Sequence, residues 1–122
     1  MRTLIDDGHG LVLRTIRRLL VDSAGSVERV PDLVVEEMAS TDWASLTFSG
    51  RLHRFELRLE ADDAAALDAA CAALDAALPE VEGTDGRNLL AQAGLVACRP
   101  VPAALDRAAR RLVIEALTLE AD

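Results

Sequence analysis

The chain has no lysine and no tyrosine, and its only aromatic residues are Trp43, Phe48 and Phe55. A core built from it must rest on Leu, Val and Ile, with the many alanines letting helices approach closely. All 13 basic residues are arginine, which together with the alanine content reads as the imprint of a GC-rich bacterial genome. There are only two cysteines, Cys71 and Cys98, too few for a disulfide framework. No apolar run approaches the roughly 20 residues that cross a bilayer, and Met1 to Asp7 lacks a signal-peptide core. The expectation is a cytoplasmic protein with no membrane partner.

Basic charge is also in deficit. Asp and Glu number 21, the formal net charge is -8 and the pI is about 4.7. Such a chain repels a phosphate backbone, so no nucleic acid partner is expected. Hydrophobic residues at 51% and charged residues at 28% suit a folded globule. At 122 residues, with no repeat and no linker-like stretch, residues 1–122 read as one domain.

Val12, Ile16, Leu19 and Leu20 recur at helical spacing and predict an amphipathic helix over about 10–22, with Asp6 and Asp7 favouring its N-terminus. Pro31 marks a boundary before a β-branched segment, Leu33 to Met38, read as a strand. Arg54 to Glu60 alternates charged and apolar residues without a break, the pattern of a strand with one wet face. Trp43 to Phe48 alternates as well, and Ser49-Gly50 reads as a two-residue hairpin turn. That turn sets Phe48 opposite Arg51, Leu46 opposite His53 and Ala44 opposite Phe55. Ala44, Leu46, Phe48, Phe55, Leu57 and Leu59 then share the core face, leaving Trp43, Leu52, Arg54, Glu56 and Arg58 on the other.

Asp62-Asp63 open an alanine-rich helix striped by Leu67, Cys71, Leu74 and Leu78 and stopped by Pro79. Residues 80–87 form an acidic loop, and 89–98, apolar at nearly every position, fit a strand covered on both faces or a buried helix segment, the strand being favoured. A short helical pattern over 103–110 precedes a last segment, 112–120. Leu105, Leu112, Ala116 and Leu119 would let the helix continue, whereas Val113, Ile114 and Thr118 favour a strand. The expected fold class is α+β: an antiparallel sheet with helices mainly on one face, of ferredoxin-like-sandwich type.

Trp43-Ala44-Ser45, Phe48, Gly50, His53 and Phe55, followed by Glu115 to Glu120, resemble short uncharacterised proteobacterial proteins with no assigned function. The resemblance covers about the last two-thirds of the chain and implies no activity.

Chemistry-bearing constellations are sparse. The glycines near His9 and Gly83 lack the phosphate-loop and dinucleotide patterns. Glu80, Glu82 and Asp85 do not have EF-hand spacing, and His9, His53, Cys71 and Cys98 lack paired zinc spacing, so neither metal nor cofactor is expected. Cys71, on the helix stripe, reads as a small core residue; whether it pairs with Cys98 stays open. His53 is read as structural first and as an acid–base group second. Trp43, flanked by Leu52 and arginine stems, is either a partner anchor or covered core. Arg51, Arg54 and Arg58 would hold an anion or, more simply, pair with acidic neighbours.

Three function classes follow in order. The first is a non-enzymatic interaction or oligomerising domain, with a homodimer or another protein partner meeting Trp43 and Leu52. The second is a small-ligand or regulatory module using His53, Arg54 and Arg58. An enzyme with His53 beside carboxylates such as Glu56 or Asp42 ranks third.

Overall fold

Apolar side chains at every second position make Phe55, Leu57 and Leu59 one face of a strand, and all three are fully buried. Around that strand the computed structural model, which describes residues 8–120, builds a five-stranded sheet. The elements are α1 (His9–Ala24), β1 (Asp32–Ala44), β2 (Ser49–Ala61), α2 (Ala64–Ala77), β3 (Gly83–Thr84), β4 (Asn88–Val101) and β5 (Ala108–Glu120). Spatial order is β1-β2-β5-β4-β3, with every neighbouring pair antiparallel. Both helices cover one face, so the α+β class and its layering are as the pattern of elements predicts.

The helices bury the stripes their spacing requires. Leu11, Val12, Ile16 and Leu20 of α1 meet Leu67, Ala70, Cys71 and Leu74 of α2 over Phe55, Leu57, Leu112 and Ile114 of the sheet. Asp63 caps α2 by accepting from the Ala65 N–H at 2.8 Å. At α1 the preceding position is Gly8, with no side-chain cap; Asp6 and Asp7, expected to favour this end, lie outside the described residues.

The hairpin corrects the sequence reading. β1 is a single strand of 13 residues that joins the two segments read separately on either side of residue 40. Its turn is Ser45–Phe48, not Ser49-Gly50. Ser45 Oγ accepts from the Thr47 and Phe48 N–H groups, and the Ser45 N–H donates to the Phe48 carbonyl at 2.8 Å. The register therefore pairs Ala44 with Ser49, Trp43 with Gly50 and Ser40 with His53. Leu46 and Phe48, expected in the core, stand 107% and 54% exposed. Gly50 is a packing glycine rather than a turn residue: a Cβ there would lie 2.1 Å from the Thr118 carbonyl oxygen of β5.

The C-terminal third is likewise redrawn. Residues 103–110 form no helix; a turn with Asp106 at φ 65° leads directly into β5. β5 is a strand, as Val113, Ile114 and Thr118 favoured, and it lies at the centre of the sheet. The loop over 80–87 contains the short β3, which pairs only with Leu89 and Leu90. β4 is thus a strand as expected, but one that leaves Leu89 and Val96 exposed instead of covered on both faces. Bulges interrupt its register between Leu90 and Gln92 and between Leu95 and Ala97.

Candidate interaction face

The sheet face away from the helices is divided. At the hairpin end, Trp43, Leu52, Leu117 and Leu119 share neighbouring positions through the pairings Trp43↔Gly50↔Leu119 and Thr41↔Leu52↔Leu117. Trp43 is half-buried and Leu52 is 45% exposed. With Leu46 and Phe48 in the adjoining turn, this end carries a group of exposed apolar side chains, while Val34, Met38, Val96 and Leu105 are exposed elsewhere. A hollow of ≈450 Å³ lies beside it, lined in part by Leu52, Gln92, Gly94, Val96, Glu115 and Leu117.

The other half of the face is ionic. Arg54 bonds Glu115 at 2.9 Å, Arg58 bonds Glu60 at 2.6 Å and Arg111 bonds Glu36 at 2.9 Å. The last pair depends on the β1 bulge between Val35 and Glu37, which frees Glu36 from the pairing register and lets it reach across β2 to β5. The arginines read as candidate anion ligands are therefore engaged with carboxylates, and Arg51 is bonded to Asp42 and Ser40. Solvent reaches the pairs of Arg54, Arg58 and Arg111, Arg54–Glu115 most and Arg58–Glu60 least, and screening by it limits what each adds to stability.

The hydrogen bond from Arg111 holds the Glu36 carboxyl below its ordinary 4.5. Asp85 behaves alike: burial alone would raise its carboxyl, but the N–H groups of Arg87 and Asn88, the Asn88 amide and the Arg14 charge outweigh that and bring it below 3.8. A carboxyl depressed on folding contributes stability above its unfolded pKa and loses it as pH falls through the folded value. The urea midpoint is accordingly expected to fall with acidification below about pH 4.5, more steeply for the native chain than for Glu36→Gln, which cannot titrate. Equal slopes for the two would remove Glu36 from this account.

His53 lies on the opposite, helix-covered face and is 2% exposed. Its Nδ1 shares a hydrogen bond with His9 Nδ1 at 3.0 Å, one ring donating and the other accepting, and its Nε2 bonds Thr118 Oγ1 at 2.7 Å. His9 also meets the Phe55 ring edge-on, with centroids 5.2 Å apart. The structure thus brings Trp43, Leu52, Arg54 and Arg58 to one face and sets His53 apart from all four. The ligand constellation of His53 with Arg54 and Arg58 does not converge. Sequence reading missed Leu46 and Phe48, because the assumed turn placed them inside the strand.

Among the described residues no cluster of three or more His, Cys, Asp or Glu side chains is placed to hold a metal ion, and no helix is long and apolar enough to cross a membrane. No protein-family model matches the sequence, and comparison with curated proteins gives no match. Among solved structures the fold is similar to a chain in the virion of a native gene transfer agent (GTA) particle. That likeness has a TM-score of 0.67 at 18% identity and covers 92% of this chain and 96% of the other.

Proposed function

We propose that the chain is a non-enzymatic structural subunit of a multi-chain protein assembly, and that it associates with copies of itself through the hairpin end of the sheet. The observation behind this reading is the collection of Leu46, Phe48, Leu52 and Trp43 at one end of the sheet. Grouped apolar side chains left partly open to solvent, a tryptophan among them, are the usual anchors of protein interfaces. The similarity in fold to a subunit of a virion particle, nearly end to end in both chains, supports the same class of role. β1 and most of β4 also border the sheet with no further strand beside them among the described residues, which offers backbone groups to a neighbour. Composition supports a bacterial cytoplasmic setting for the assembly.

Light scattering across a dilution series, with Trp43 fluorescence recorded in parallel, tests this. An oligomer whose Trp43 emission moves to longer wavelength on dissociation is the expected result. The double variant Leu46→Ser, Phe48→Ser alters only exposed turn positions and is expected to weaken association at least about tenfold while leaving the urea midpoint unchanged. A chain that stays monomeric at every concentration, with invariant Trp43 emission, overturns self-association.

A further inference from the structure

Cys71 and Cys98 come from elements far apart in sequence, the sheet-facing side of α2 and the helix-facing side of β4, where Cys98 pairs with Leu112. Their sulfurs lie 2.7 Å apart, in direct contact. Neither is held in a disulfide, and the two differ in access: Cys71 is buried and Cys98 is exposed. An open groove of ≈320 Å³ between α2 and β4 reaches both, lined by Cys71, Ala72, Asp75, Val96 and Cys98 among others. A metal site would need further ligands, and none converges here among the described residues.

We propose that Cys71 and Cys98 form a modification site: a dithiol that low-molecular-weight disulfides oxidise to an intramolecular disulfide linking α2 to β4. Closure brings the sulfurs from 2.7 Å to a covalent length of about 2.05 Å, within the range of side-chain adjustment. Cys98, reached from the groove, attacks one sulfur of the small disulfide as its thiolate and expels one small thiolate. Cys71 then gives up its proton and attacks Cys98 Sγ, expelling the second. The protein loses two protons and two electrons, which the small disulfide takes up in becoming two thiols.

The division of labour follows from the environment. Burial, with the hydrogen bond to Cys98 added, pushes the Cys71 thiol up to about 12, so it stays protonated until Cys98 has been activated beside it. The bond would fasten the outer part of β4, which beyond Leu90 has a strand on one side only among the described residues, to the helix layer.

The test uses the full-length chain and oxidised glutathione, followed by denaturation, alkylation and intact mass measurement. The expected product is a chain lighter by two hydrogens that takes up no alkyl group and runs at the size of the untreated protein. Its melting temperature rises by about 10 °C and returns on addition of dithiothreitol. Cys71→Ser is expected to retain one glutathione on Cys98, and Cys98→Ser to react several times more slowly than Cys71→Ser. Two alkylated thiols after glutathione treatment, or a disulfide joining two chains instead of one, would overturn the proposal. Because the readout is internal to one chain, it stands or falls independently of self-association.

Discussion

Gly50→Ala is expected to cost about 3 kcal/mol in folding stability, read as a fall in the urea midpoint at unchanged slope. The reason is contact with backbone, which has no rotamer to yield: the added Cβ would sit 2.1 Å from the Thr118 carbonyl oxygen and 3.1 Å from Leu119 Cα. Relief requires β2 and β5 to separate at the Gly50↔Leu119 pairing, beside Trp43. Gly94→Ala is the matched control. A Cβ on Gly94 meets nothing within 4 Å, and the residue lies inside β4. That variant is expected to gain about 0.5 kcal/mol from reduced chain entropy in the unfolded state. Equal effects from the two substitutions would show that close approach at Gly50 is not what demands glycine.

His53→Ala is expected to lose about 3 kcal/mol, the sum of a cavity and a broken polar contact in the core. The imidazole is 2% exposed and spans from His9 Nδ1 to Thr118 Oγ1. Thr118→Val keeps the shape and removes the hydroxyl, and about 1 kcal/mol is expected from it. If the two act through their shared hydrogen bond, the double variant falls short of the sum, and thermal or urea unfolding of all four chains measures the difference. A His53→Ala chain as stable as the native one would end the structural account of this histidine and reopen the search for a chemical role.

How far the site was legible follows from what each signal encodes. Alternation in residues 54–60, carried back through the hairpin to Leu52 and His53, assigns Leu52, Arg54 and Arg58 to one face and His53, Phe55, Leu57 and Leu59 to the other, and the structure agrees. Trp43 also falls on the face its parity gave, although through a different register. Leu46 and Phe48 were assigned to the core because alternation runs unbroken through them, and alternation says nothing about where a strand stops. The signal that was available is Ser45, whose hydroxyl accepts from two N–H groups of the turn and so offers the backbone an alternative to continued pairing.

By itself, the sequence determined what is local or periodic. It set the core faces of β2 and α2, the Asp63 cap and the α+β class, because side-chain period and capping chemistry act within a few residues. Only the tertiary structure decided the hairpin register, the merging of two segments into β1, the central place of β5 and the absence of a helix over 103–110. Pairing energy belongs to two strands at once, so competing registers that satisfy the same alternation differ only in what the third strand allows. Here that strand is β5, whose backbone reaches Gly50 as a side chain would not permit. The juxtapositions of His9 with His53 and of Cys71 with Cys98 are tertiary for the same reason: each joins elements that only the common core brings together.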